Sequence, residues 1–262
     1  MSNVQSIERA FKLLEVLSEF PDGIQITRLA EKVNLSKSTV HRLLATLIDL
    51  KYVSKDRETE KYRIGYRLIY LSRNLIDNID IISIAKPFLE DLSAEVNETI
   101  HLCIEDCGEV LYVDKIESNQ TIRMISKIGN RAPMYCTGVG KALLSGMNRE
   151  QFDNVANKTN FIIHTPTTIS TKEELWNEVQ LIKQQGYALD NVEHEEGIRC
   201  IAAPIFNSEK KIIASFSIAG PSNRITMERI EFELIEKIRK TSLDISRMLD
   251  YKVGSSLNSI DM

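Results

Sequence analysis

The run Met134-Tyr135-Cys136-Thr137-Gly138-Val139-Gly140-Lys141-Ala142 places two glycines where a helix begins. The first N–H groups of a helix have no partner within it and lie at the positive end of its dipole. Such a turn therefore suits a carboxylate without needing a charged side chain. The same glycines also suit a plain strand-to-helix turn, and the run alone does not choose between the two. A nucleotide-phosphate loop is excluded, because Tyr135 stands where that motif needs glycine and Ala142 where it needs serine or threonine. A second constellation is Ser36-Lys37-Ser38-Thr39-Val40-His41-Arg42, which offers hydrogen-bond donors of several lengths in the first two turns of a helix. Donors so placed can reach base edges and phosphates, with Arg42 the foremost candidate and Ser36 also suited to cap its helix.

Catalytic and metal chemistry find little support. The four cysteines, Cys103, Cys107, Cys136 and Cys200, form no CxxC pair, so neither a zinc ribbon nor a disulfide framework is indicated, and reduced, mostly buried thiols are expected. Cys136 or Cys200 paired with a histidine would make a nucleophile, but no local nucleophile motif accompanies either. His194 lies in Glu193-His194-Glu195-Glu196, which reads as an exposed acidic turn, and His101 and His164 stand alone in the chain. No cofactor, metal or catalytic residue is expected.

These residues need elements to position them. Ile7, Ala10, Phe11, Leu14 and Leu17 form one apolar stripe of a helix over Ser6 to Phe20, ended by Pro21-Asp22-Gly23. Thr27 is placed to cap a short helix through Val33, Asn34-Leu35 makes a tight turn, and Ser36 opens a helix to about Leu50 whose core face is Val40, Leu43, Leu44 and Leu47. Tyr52-Val53 and Tyr62-Arg63-Ile64 flank the polar loop 56–60 as a hairpin. Helix, turn, helix and hairpin together predict a winged helix-turn-helix. Its second helix would enter the major groove of double-stranded DNA, with Arg57 reaching the minor groove and Lys55, Lys61 and Arg63 the backbone. The charge distribution agrees. The whole chain of 262 residues carries −4, but residues 1–66 hold eleven Lys/Arg against nine Asp/Glu, and 36–66 hold seven against four. Acidic residues elsewhere are screened beyond a Debye length of about 8–10 Å.

An amphipathic connecting helix is expected from Arg67 to about Asn78, and another starting near Pro87, with Phe88, Leu89, Leu92 and Val96 on one face. Beyond them the period falls to two. Strands are expected over Thr99–Glu105, Glu109–Ile116 and Thr121–Ser126, with Cys107-Gly108 as a hairpin turn. Helices follow near Gly140–Gly146 and Lys172–Gln185, strands near Tyr187–Val192, Ile198–Phe206 and Ile212–Ala219, and a last long helix from Thr226. The fold class is α+β. The expected division is a DNA-binding domain over 1–66, a linker helix over 67–79, an effector-binding and oligomerisation domain over 80–252, and a disordered polar tail over 253–262. With 43% apolar and 27% charged residues, no secretory leader and no apolar run of membrane-spanning length, a cytoplasmic protein is expected.

SIERAFKLLEVLSEF, ITRLAEKVNLSKSTVHRLLATLIDLKYV and Glu60-Lys61-Tyr62-Arg63-Ile64-Gly65 resemble the N-terminal domain of IclR-type bacterial regulators. Gly186-Tyr-Ala-Leu-Asp190-Asn-Val-Glu193 and, after six residues, Cys200-Ile-Ala-Ala-Pro-Ile205-Phe206-Asn207 are similar to that family's signature segment. The resemblance implies a regulator that reads a palindromic operator as a homodimer, often a dimer of dimers, and more often represses than activates. It implies a GAF/PAS-like effector domain whose curved antiparallel sheet encloses a small organic acid. On the family's pattern Gly138 and Val139 meet the ligand carboxylate, Asp190, Cys200 and Ser217 surround the rest, and Thr121 and Met124 lie on the loop above. Two positions depart from it: Ala219 stands where some keto-acid-binding members have a second serine, and Thr121 where some relatives are apolar. Asp190 and Ser217 then favour a hydroxylated acid such as a sugar acid. Two other readings stay open, an activator of the same family and a DNA-binding protein whose C-terminal domain only oligomerises.

Overall fold

A computed structural model describes residues 4–71, 80–121 and 126–251. The chain divides into two compact units, Met1–Asp80 and Ile81–Met262.

In the first unit, α1 (Gln5–Ser18), α2 (Ile26–Val33) and α3 (Lys37–Asp49) precede a hairpin of β1 (Val53–Lys55) and β2 (Tyr62–Ile64). β1 and β2 pair antiparallel, Val53 opposite Ile64, and a bridge from Ile24 to Tyr62 ties the α1–α2 loop to the hairpin. Asn34 adopts the left-handed conformation that ends α2, which makes the turn into α3 tight. Leu13, Leu17, Leu29, Val33, Val40, Leu44 and Val53 share one core. The helix-turn-helix and hairpin are those expected, with two local differences. On α1 the buried residues are Leu13 and Leu17, whereas Ile7 and Phe11 are 55% and 60% exposed. The helix carries two overlapping apolar stripes, and period alone does not say which one meets α2 and α3. Thr27 does not cap α2: the N-cap is Gln25, with no side-chain bond.

The second unit opens with α4 (Asp80–Val96). It starts seven residues before Pro87, which lies in its interior rather than in its first turn. Residues 67–71 are helical, the rest of the expected linker helix lies outside the described residues, and so does the tail. A six-stranded antiparallel sheet follows, in the order β5-β4-β3-β8-β7-β6. Its strands are β3 (Thr99–Asp106), β4 (Glu109–Ile116), β5 (Arg131–Ala132), β6 (Ala188–Asn191), β7 (Ile198–Phe206) and β8 (Ile212–Pro221). Cys107 and Gly108 both have positive φ, which supplies the two-residue turn between β3 and β4. The strand expected over 121–126 falls mostly on residues 122–125, which lie outside the described residues; Thr121 lies in a bend, and among the described residues the edge strand is β5, paired with β4.

On one face of the sheet lie α5 (Gly138–Leu144), α6 (Arg149–Ala156) and α7 (Lys172–Gln185). α5 begins two residues earlier than expected, capped by Thr137, whose Oγ1 accepts the Gly140 N–H. α6 was not anticipated, although Asn148 and Gln151 form the capping box that announces it. The last described elements are α8 (Met227–Arg229), capped at Thr226, a π-helical turn (Ile230–Leu234) and α9 (Ile235–Met248). α9 is fixed to β7 by Ser242 Oγ, which donates to Pro204 O. Among the described residues no helix is long and apolar enough to cross a membrane.

Candidate functional site

The first face to consider is the start of α3. Ser36 caps the helix, its Oγ accepting the Thr39 N–H at 3.3 Å and bonding the hydroxyls of Ser38 and Thr39. Lys37, Ser38, His41 and Arg42 are exposed, Thr39 is half-buried, and Val40, Leu44 and Leu47 point inward. The expected donors thus share one solvent face, and the expected core residues the other, except that Leu43 is only half-buried. In the hairpin, Asp56 Oδ1 accepts the N–H groups of Glu58 and Thr59 and the Thr59 hydroxyl, so these bonds hold its carboxyl below the usual range, the Thr59 N–H foremost. Asp56 Oδ2 takes Arg63 Nη2 at 2.8 Å, and Lys55 pairs with Glu60. Two of the four wing cations are therefore neutralised within the hairpin. Arg57 is exposed and Lys61 half-buried, and neither makes an ion pair among the described residues.

The second site is built by strand register. Asp190 faces Cys200 across β6–β7, Cys200 faces Ala219 across β7–β8, and Ala219 faces Thr99 across β8–β3. Two residues along, the next row is Ala188, Ala202, Ser217 and His101. Residues two apart on a strand share a face, so both rows point the same way. Above them sits α5, held down by Ser215 Oγ donating to Val139 O at 3.0 Å. Gly138 lies so close that a Cβ there would be 3.3 Å from the Ala202 Cβ. Between the rows and the first turn of α5 is a cavity of about 140 Å³. Gly138, Val139, Asp190, Cys200, Ser217 and Ala219 all line it. Thr121 is exposed and does not, and Met124 lies outside the described residues.

Gly138 and Val139, the first two residues of α5, line the cavity, whereas Lys141, one turn further on, does not. Lys141 is 1% exposed and donates to Glu193 Oε1 at 2.6 Å, with Glu178 at 3.6 Å. Asp190 is 3% exposed; burial raises its carboxyl to about 7, against the lowering effect of the Glu193 N–H that its Oδ1 accepts at 2.7 Å. Burial likewise lifts the Cys200 thiol well above its ordinary range and Cys136 to about 12. Neither is a thiolate near neutrality, which argues against the nucleophilic pair.

Several cavity residues are given no part in the ligand site by the sequence. His101 is buried, with Nε2 2.6 Å from Ser126 Oγ and its ring edge-on to Tyr112. Burial, and then the nearby Lys115 charge, lower it to about 3, so it is a neutral imidazole. Strand alternation places it on the cavity face once β3 is known to pair with β8, a pairing that a single strand pattern does not contain. His194 corrects the exposed-turn reading: it is half-buried, lines the cavity and stacks on His164 at 5.3 Å. Burial, then His164, lowers its pKa. Among the described residues no cluster of three or more His, Cys, Asp or Glu is placed to hold a metal ion.

Comparison with known proteins follows the same two-part layout. Residues 6–57 match the IclR helix-turn-helix domain, and residues 73–247 match the family described as bacterial transcriptional regulator IclR C-terminal. The chain is 37% identical over 249 residues to the HTH-type transcriptional regulator KdgR of Dickeya chrysanthemi, covering 95% of this chain and 81% of that protein. The crystal structure of the Thermotoga maritima IclR superposes with a TM-score of 0.81 at 30% identity, over 95% of this chain and all of that one. An IclR homolog from Microbacterium hydrocarbonoxydans complexed with 4-hydroxybenzoate shares the fold, with a TM-score of 0.78 at 21% identity over 94% of this chain and 99% of that one. With both segments matched and the signature residues of β6 and β7 lining one cavity, the chain belongs to the IclR family of DNA-binding bacterial transcriptional regulators.

Proposed function

We propose that this regulator is a repressor that binds a palindromic operator as a homodimer, or a dimer of dimers, and is controlled by a small hydroxylated organic acid. The observation that carries the effector half is the convergence of Gly138, Val139, Asp190, Cys200 and Ser217 on one cavity. The acid's carboxylate accepts from the N–H groups of Gly138 and Val139, an arrangement that supplies positive potential without a cation. Asp190 and Ser217 face the hydroxyl-bearing part, where Ser217 donates or accepts and Asp190 does either according to its protonation. A complex with 4-hydroxybenzoate, a hydroxylated acid, in a homolog of the same fold supports the ligand class.

DNA is read by Lys37, Ser38, Thr39, His41 and Arg42 from α3, with Arg57, Lys61 and Arg63 from the wing and Ser36 capping the reading helix. Control follows linkage: an acid that binds better to the arrangement of paired reading helices that misfits the operator draws the protein off DNA. A thermal-shift screen of keto, sugar and aromatic acids, followed by operator binding with any hit, tests this. A stabilising acid that lowers operator affinity is expected. If no acid stabilises the protein, the C-terminal unit is an oligomerisation domain only, and if a stabilising acid raises operator affinity the protein is not relieved by its ligand.

A further inference from the structure

The family pattern leaves His101 without a part, although it is one of the most buried polar groups in the cavity wall. Its Nε2 bonds Ser126 Oγ, and the Ser126 carbonyl in turn accepts from Lys115 Nζ at 3.1 Å, so Ser126 is held at the cavity from two sides. His101 stands directly opposite Ser217 on the neighbouring strand, and both point into the cavity. Cross-strand neighbours of this kind lie about 5 Å apart, close enough to bond one ligand oxygen together.

Resting on the effector reading above, we propose that His101 is the specificity-determining residue of the cavity. It exchanges the Ser126 hydroxyl for an effector hydroxyl remote from the carboxylate, which Ser217 bonds as well. Position supports this. Gly138 packs over Ala202, and Ala202, Ser217 and His101 occupy one row, so the carboxylate seat and His101 are two strand spacings apart, about 10 Å between Cα atoms. Side chains and hydrogen bonds of about 3 Å take up about half of that, which leaves about 5 Å, room for a chain of roughly four or five carbons. Chemistry supports it too. A neutral imidazole has one donor and one acceptor nitrogen and no charge, so it serves a hydroxyl rather than a second carboxylate. An acid lacking that hydroxyl leaves Ser126 in place and gains nothing from His101.

The test measures calorimetric affinity for matched acids: D-gluconate and hexanoate, 5-hydroxyvalerate and valerate, 4-hydroxybenzoate and benzoate. The wild-type protein should prefer at least one hydroxylated member tenfold or more, because a deoxy acid lays hydrocarbon against the buried Ser217 hydroxyl whereas a hydroxylated one gives Ser217 and His101 a shared oxygen. His101→Phe keeps a ring beside Tyr112 and should lower that ratio by about threefold or more, the Ser217 bond accounting for what remains, through weaker binding of the hydroxylated acid. Ser126→Ala removes the competing hydroxyl and should raise affinity for the hydroxylated acid severalfold while leaving its deoxy partner unchanged, a result that a merely structural His101 would not produce. Should His101→Phe fail to fold, the Ser126→Ala result decides alone, and an unchanged ratio overturns the proposal. Equal binding of both members of every pair overturns it but leaves the cavity reading standing, and no binding by any acid removes both.

Discussion

Lys141 Nζ lies 2.6 Å from Glu193 Oε1, and this buried pair fastens α5, the helix above the cavity, to the turn after β6 that follows Asp190. Among the described residues Glu193 Oε2 has no hydrogen-bond partner, and the lysine and the Asn191 N–H, both on Oε1, compensate this carboxylate. Removing one member of a buried pair leaves the other uncompensated, whereas replacing both with apolar groups of similar volume costs much less. Lys141→Met should lower unfolding stability by about 3 kcal/mol in urea titration, and Lys141→Met with Glu193→Leu should recover most of it. If the double variant loses as much as the single, the pair does not act as a unit.

Asp190 makes stability depend on pH in a definite direction. Its carboxyl is raised from 3.8 to about 7 by burial, so between those values the folded chain binds more protons than the unfolded one and stability falls as pH rises. Three pH units correspond to about 4 kcal/mol as an upper bound. Glu193 is raised too, and pulls the same way. The carboxylates held low, Asp56, Asp153, Glu174 and Glu209, act below their ordinary values and leave the interval from pH 5 to 8 undisturbed. His101 and His194, held below the ordinary histidine value of 6.5 by burial, pull the other way in the acid half of that interval, where the unfolded chain binds the extra protons, so the Asp190 contribution is read as a difference between proteins. In thermal melts of the ligand-free proteins, the Tm of wild type relative to Asp190→Asn should be higher at pH 5 than at pH 8. A slope equal to wild type in Asp190→Asn removes Asp190 as its source.

The two wing arginines should contribute unequally to DNA binding. Arg63 is already bonded to Asp56, whereas Arg57 at the tip has no ion pair among the described residues. Each phosphate neutralised adds about one unit to the slope of log affinity against log salt. Arg57→Ala should reduce that slope by about one, Arg63→Ala by less, and Asp56→Asn should strengthen binding by freeing Arg63. Arg42→Ala, on α3, should weaken operator binding by about 1–3 kcal/mol and leave ligand affinity unchanged. Equal salt slopes for Arg57→Ala and Arg63→Ala would show that the Asp56 pair does not restrain the wing.

How much of this could be read beforehand follows from which signals are local. Caps, turns and periods are local, so Ser36, Asn34, the Cys107-Gly108 turn and the limits of α7 and β7 match what the sequence dictates. Pairing is not local. The cavity row of His101 and Ser217 exists because β3 lies beside β8, more than a hundred residues later, and nothing in Thr99–Asp106 names that neighbour. The family pattern supplied Asp190, Cys200 and Ser217 but not His101 or the Lys141–Glu193 pair. The exposed Ile7 and Phe11 show the same limit from the other side: periodicity finds an apolar stripe without saying what covers it.

The two glycines of the α5 turn should respond differently to the same added methyl group. At Gly140 a Cβ would lie 2.4 Å from Met134 Cα and 2.5 Å from Met134 O, both backbone atoms that no rotamer change can move aside. At Gly138 the nearest atoms, Ala202 Cβ and Asp190 N, would be at 3.3 and 3.4 Å, which a shift of a few tenths of an ångström relieves. Gly138→Ala should therefore stay folded at a cost of about 1 kcal/mol, while Gly140→Ala should cost about 3 kcal/mol or more as the Met134–Thr137 turn is pushed off α5. Because that turn carries the Thr137 cap and sets the direction of the Gly138 and Val139 N–H groups, Gly140→Ala protein that does fold should have lost its affinity for carboxylates. Urea titration and calorimetry on the two variants separate these effects. Wild-type stability and acid affinity in Gly140→Ala would mean that the close approach to Met134 is not what fixes the anion seat.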